Sequence, residues 1–120
     1  MTLTCKQVLL VDDEEEILAT SKLALEIGGL RDVATISDSR EVHYYLAENE
    51  VAVMVLDLSM PHVSGLELLG TVTRDYPQIP IIVVTANDEI ATVVECMKLG
   101  AFDYLAKPVS PGRLLTSVQK

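Results

Sequence analysis

At 120 residues, 49% of them apolar, the chain is long enough to build one compact core that needs neither disulfides nor a structural metal. Eighteen acidic residues against nine basic ones give a net charge of −9, which repels phosphate backbones and anionic lipid and argues against nucleic-acid or membrane-surface binding. The two cysteines, Cys5 and Cys96, show no C-x-x-C pair and no Cys/His metal spacing, so reduced thiols in a cytoplasmic protein are expected.

The first element is a short apolar run at 6–11, K-Q-V-L-L-V, of the kind that suits a strand buried on both faces. A helix follows over 14–27, with Ile17, Ser21, Ala24 and Gly28 on one face, Leu18 and Leu25 beside them, and three glutamates where a helix N-terminus favours negative charge. A weaker strand is predicted at 31–36, then a second helix marked by Val42, Tyr45 and Leu46. The run V-A-V-M-V-L at 51–56 is the third strand. Ser64 and Glu67 have capping-box spacing ahead of Leu68, Leu69 and Val72, and Tyr76-Pro77 stops this third helix; Gly65 in that turn serves the backbone. The run 79–85 is the fourth strand, beginning near Pro80, which has no ladder donor. Ile90, Val93, Val94 and Met97 mark the fourth helix, closed by Gly100, and a weaker fifth strand is predicted at 102–106. Ser110-Pro111 is an N-cap with proline at the first helical position, placing Leu114, Leu115 and Val118 on the buried face of a fifth helix. That helix has no stop signal before Lys120, so 1–120 is expected to be the N-terminal part of a longer protein with an output domain beyond Lys120. No charged leader with a cleavage site is visible, and every apolar run is too short to span a bilayer.

Five strands alternating with five helices imply an α/β fold: a doubly wound, flavodoxin-like parallel sheet with strand order 2-1-3-4-5. Ligands in such a sheet collect at the carboxyl ends of the strands, where the order reverses. The residues there are Asp12 and Asp13 after the first strand, Asp57 after the third, Thr85 after the fourth and Lys107 after the fifth. Taken singly, each has a plainer reading: a helix cap, a β-prone threonine, a solvated lysine. Together they point to phosphoryl chemistry. Three carboxylates gathered at one spot repel one another unless a cation is present, and hard oxygen ligands suit Mg²⁺. Asp57, on the most central strand, is then the nucleophile, with Lys107 and the Thr85 hydroxyl on phosphoryl oxygens. The same repulsion is expected to destabilise the metal-free fold at neutral pH, with relief in Asp13→Asn.

The stretches L-L-V-D-D-E, V-L-D-L-S-M-P-H-V-S-G, V-V-T-A and A-F-D-Y-L-A-K-P resemble, in order and spacing, the motifs of response-regulator receiver domains of two-component signalling. The resemblance covers essentially the whole chain. It implies that Asp13 and Asp57 bind Mg²⁺ directly with the backbone carbonyl of Ser59, and that Asp12 acts through water. It further implies that Asp57 accepts a phosphoryl group from a sensor histidine kinase or phosphotransfer protein, that Lys107 and Thr85 contact the phosphoryl, and that Tyr104 changes rotamer. The readout implied is a change of the face made by the fourth helix, fifth strand and fifth helix, with a homodimer formed on phosphorylation as a candidate assembly. A cis Lys107-Pro108 bond is also implied, and Ser59, Ala86 and Asn87 are expected to tune the access of water to the phosphate. The run V-E-C-M-K-L-G-A-F-D-Y-L-A-K-P-V resembles receivers attached to ATPase activators of alternative-sigma-factor transcription.

Two other functions fit parts of the pattern. A phosphatase of the haloacid-dehalogenase kind also uses an aspartyl phosphate with Mg²⁺, but needs D-x-D-x-T after the first strand, where this chain has D-D-E-E-E. A flavodoxin-like flavin binder needs a hydroxyl- and glycine-rich loop at that place. His43 and His62 lack partner motifs and are expected at the surface, while Met54, Met60 and Met97 are expected in core or loop packing.

Overall fold

The computed structural model describes residues 7–58, 65–85, 90–107 and 109–119. Cys5, Ser59, Met60, His62, Ser64, Ala86, Asn87 and Pro108 lie outside the described residues, and with them the capping box, the Ser59 carbonyl and the Lys107-Pro108 bond.

Strands β1 (Gln7–Val11), β2 (Val33–Ile36), β3 (Val51–Asp57), β4 (Ile81–Thr85) and β5 (Asp103–Ala106) form one sheet in the order β2-β1-β3-β4-β5. Every pairing is parallel, as the alternation with helices requires. The helices are α1 (Glu15–Ile27), α2 (Val42–Glu48), α3 (Gly65–Asp75), α4 (Ile90–Lys98) and α5 (Pro111–Gln119), with a 3-10 turn at Ser39–Glu41 ahead of α2. β4 starts one residue past Pro80, whose carbonyl accepts the Met54 N–H at 3.0 Å. The proline thus contributes an acceptor where it has no donor to lose.

Because strand side chains alternate, the sheet feeds two cores. Leu9, Val11, Met54, Leu56, Ile81 and Val83 pack on one face with Val42, Leu46, Leu68, Leu69, Val72 and Cys96 from α2, α3 and α4. Val8, Leu10, Val53, Val55, Ile82, Val84 and Leu105 pack on the other with Leu18 and Leu25 of α1 and Leu114 of α5.

Three helix faces differ from expectation. On α1 the buried residues are Leu18 and Leu25, while Ile17 is 36% exposed and Ser21 and Ala24 are half-buried. Gly28 serves a different purpose, since a Cβ there would stand 2.5 Å from Cδ2 of Leu115, so its lack of a side chain lets α1 and α5 close up. On α4 the single buried side chain among those described is Cys96; Val94 and Met97 are exposed, which removes Met97 from the core. On α5 the buried pair is Leu114 and Ser117, with Leu115 and Val118 half-buried, and Ser117 Oγ donates to Asp103 Oδ2 at 3.1 Å. A buried hydroxyl is tolerated there because it is bonded.

Gly65 opens α3 directly against the residue after β3: a Cβ there would lie 2.3 Å from Cα of Leu58 and 2.8 Å from its carbonyl oxygen. The obstacle is backbone, which cannot swing aside. Gly65→Ala is therefore expected to lower unfolding stability by about 1–3 kcal/mol or more, the cost of overpacking. Urea denaturation measures it, and an unchanged midpoint would show that the segment after Asp57 relaxes freely.

Candidate functional site

Three strand ladders extend one step beyond their strands at the carboxyl edge, which fixes the backbone there. The Asp12 N–H bonds to the Ile36 carbonyl at 3.1 Å, Leu58 N–H to Val84 at 3.2 Å and Lys107 N–H to Thr85 at 2.9 Å. Asp12, Asp57 and Lys107 are thereby held by main chain at the carboxyl ends of β1, β3 and β5, with β4 between the last two.

Asp57 is buried at 2% exposure and Asp12 at 7%, whereas Asp13 is exposed. One carboxylate oxygen from each of the three can be chosen so that all lie within 4.8 Å of one another. Lys107 Nζ stands 3.4 Å from Asp57 Oδ1 and 3.7 Å from Asp12 Oδ2, with its side chain 21% exposed. Asp12 also accepts the Glu14 N–H at 2.9 Å, which ties the acid to the start of α1. Burial pushes the Asp12 carboxyl up from 3.8 to about 6, and the nearby Asp57 charge adds to the rise; the Glu14 N–H and the Lys107 ammonium pull the other way without cancelling it. One lysine among three acids leaves a net negative pocket of hard oxygen donors, a set that fits a divalent cation.

Beside the acids a cavity of about 670 Å³ opens between α1, α5 and the sheet, floored by Leu10, Val55 and Val84. Thr85 is buried at the end of β4 on the same sheet face as Val83. Tyr104, paired in register with Val83, is half-buried and packs against that face's core, so Thr85 and Tyr104 are diagonal neighbours. His43 lies apart, its Nε2 3.7 Å from Asp75 Oδ2 at the end of α3.

Two contacts at or near the site were not anticipated from the residue pattern. Glu14 Oε1 lies 3.9 Å from Lys107 Nζ. The Asp103 carboxylate ties the Tyr104 N–H, at 2.8 Å, to the Ser117 hydroxyl, linking β5 to α5. The first had a signal in the acid run after β1; the second had none, because hydrophobic periodicity treats a serine as neutral.

A family model of the response regulator receiver domain matches residues 8–119. The chain belongs to this family. Among curated relatives, the C4-dicarboxylate transport transcriptional regulatory protein DctD of Pseudomonas aeruginosa is 33% identical over 114 residues, 95% of this receiver chain but 24% of DctD. The chain thus spans about a quarter of that relative's length. The crystal structure of a receiver domain from Clostridium thermocellum superposes with a TM-score of 0.87 at 34% identity, covering 95% of this chain and 91% of that one. A response regulator from Burkholderia pseudomallei, solved with a phosphorylated aspartic acid, a calcium ion and citrate, superposes with a TM-score of 0.82 at 30% identity, covering 95% of this chain and 64% of that one. Both the receiver fold and its strand order agree with the sequence-based expectation. Among the described residues, no helix is long and apolar enough to cross a membrane.

Proposed function

We propose that this receiver domain is a phosphorylation-dependent switch in which Asp57 is the phosphoacceptor. The observation that supports it best is the pairing of a buried carboxylate with a lysine 3.4 Å away, beside two further acids at the strand ends. An Asp57 oxygen attacks the phosphorus of a phosphohistidine on a sensor kinase or phosphotransfer protein; the new P–O bond forms as the P–N bond breaks, and the leaving imidazole takes up a proton. Lys107 moves with the charge from Asp57 to a phosphoryl oxygen, and the Thr85 hydroxyl donates to another. Asp12, Asp13 and Asp57, with the Ser59 carbonyl as a further ligand, would hold Mg²⁺, which when bound neutralises charge on the phosphoryl group. The phosphorylated aspartic acid and calcium ion of the Burkholderia relative support both parts of this reading.

Incubating the protein with acetyl phosphate and Mg²⁺ tests it: intact mass under mild conditions should rise by one phosphoryl group, and only when Mg²⁺ is present. A mass that never rises, or rises equally in chelator, would contradict the reading.

The proposed output is the face formed by α4, β5 and α5. Its support is the diagonal placement of Thr85 and Tyr104 on neighbouring strands and the exposed Val94 and Met97 on α4, apolar side chains that a partner can cover. As the Thr85 hydroxyl moves toward the phosphoryl, it vacates volume that the Tyr104 ring enters, and a close-packed interior makes this two discrete states. Thr85→Ala should keep phosphoryl transfer and lose most of the remote response. Amide NMR over 90–106, before and after phosphorylation, reads it; a full remote response in Thr85→Ala would sink the coupling. The whole protein is proposed to be a cytoplasmic transcription regulator with an output domain beyond Lys120, in the manner of DctD, and to dimerise on phosphorylation. The 94–109 run supports an alternative-sigma-factor activator as that output.

A further inference from the structure

Lys107 faces three carboxylates, and one of them lies outside the acid cluster. Its Nζ is 3.4 Å from Asp57, 3.7 Å from Asp12 and 3.9 Å from Glu14. Glu14 is anchored by its backbone, whose N–H is bound to Asp12, while its side chain is 61% exposed and free to follow the ammonium. It is also the residue from which α1 departs, with extended backbone angles and no side-chain bond capping the helix.

We propose that Glu14 is a positioning residue that draws Lys107 toward the α1 side of the cleft, in competition with Asp57, and thereby slows phosphoryl capture. This rests on Asp57 being the phosphoacceptor. An ammonium is a compact charge with three rotatable donors, so no fixed fork commits it to one carboxylate; it divides its time among those in reach. Charge builds on the phosphoryl oxygens as the group arrives on Asp57, and Lys107 has to draw away from Glu14 to meet it. Glu14, at the solvent end, opposes that movement. Being exposed, it opposes it weakly, on the scale of a surface ion pair.

The test compares Glu14→Gln with Glu15→Gln. Both remove one exposed acid near the start of α1, but among the described residues the ion pairs of Lys107 are with Asp12, Glu14 and Asp57 alone. With acetyl phosphate and Mg²⁺, Glu14→Gln should gain a phosphoryl group about two- to fivefold faster than wild type, the range an exposed pair spans, while Glu15→Gln stays near wild type. A second readout needs no phosphorylation: the Lys107 Cε and Hε resonances of the unmodified protein should shift in Glu14→Gln and hold still in Glu15→Gln. The proposal is overturned if the Lys107 resonances do not respond to Glu14→Gln, if both variants accelerate alike, which is a pure charge effect, or if Glu14→Gln is unchanged or slower. A wild type that takes no phosphoryl group brings down the phosphoacceptor reading itself, whereas a wild type that labels normally beside an inert Glu14→Gln removes only this inference.

Discussion

Asp57→Asn should take up no phosphoryl group over a period in which the wild type is fully labelled by acetyl phosphate and Mg²⁺. Asparagine keeps the shape of aspartate at a position that is 2% exposed, so the fold is expected to survive the change. What it loses is the anionic oxygen. A neutral amide oxygen is a poor nucleophile, and Lys107 forfeits its nearest carboxylate at 3.4 Å, so attack and product stabilisation fail together. The expected loss is several orders of magnitude in rate, larger than any other effect argued for this chain. Asp12 and Asp13 supply an internal check, since each offers a carboxylate oxygen within 4.8 Å of one on Asp57. If proximity to the donor were enough, a neighbour would capture the phosphoryl in the variant. Peptide mapping of slow residual label separates the two cases: traces on a neighbour are compatible with Asp57 as the acceptor, whereas full labelling of Asp57→Asn refutes it.

The strand-end residues were legible because a parallel sheet converts a linear rule into a spatial one. Once 6–11, 51–56 and 102–106 read as strands of one parallel sheet, whatever follows each must meet at one edge, and Asp12, Asp57 and Lys107 do meet there. Pro80 set the start of β4 to within a residue for an equally local reason, the missing N–H. Helix faces were less legible. On α1 a one-position rotation separates the expected stripe through Ile17 from the buried one through Leu18, and both stripes are apolar enough to satisfy a 3.6-residue period. On α4 the pattern Ile90, Val93, Val94, Met97 is a true apolar face, yet Val94 and Met97 stay in solvent. Periodicity reports that a face exists and is silent on whether this chain covers it. Which of the two adjacent aspartates would be buried was likewise beyond reach, because Asp12 and Asp13 differ by one step along the backbone, and that step turns one inward and the other out.

That last difference adds Asp12, the buried member, to Asp13 as a position where removing a charge is expected to bring relief. Asp12→Asn should raise the melting temperature of the metal-free protein at pH 7.5, flatten its pH dependence between about pH 4 and 6, and weaken Mg²⁺ binding. The Asp12 carboxyl is raised in the fold to about 6 from an ordinary 3.8, so the folded state holds its proton more tightly than the unfolded chain does. A group raised in this way costs stability above its folded value. The cost fades as pH falls through about 6 and is gone below about 4, where both states are protonated. Taken at face value the shift is worth about 3 kcal/mol, and solvent at the cleft mouth screens it to roughly 1–2 kcal/mol, several degrees in melting temperature for a domain of this size. Asparagine fits the site because its oxygen can still accept the Glu14 N–H now bonded to Asp12 Oδ1, and its amide can donate toward Asp57. Lys107 keeps Asp57 and Glu14 as partners, so no buried cation is orphaned. In the wild type, Mg²⁺ should offset the cost by binding the native state alone, and the variant should show a smaller rise in melting temperature on adding it. Thermal melts from pH 4 to 8, with Mg²⁺ and with chelator, measure all three outcomes. A variant that melts lower than wild type at pH 7.5 without metal, or that gains as much from Mg²⁺, would mean that Asp12 is not the strained member of the cluster.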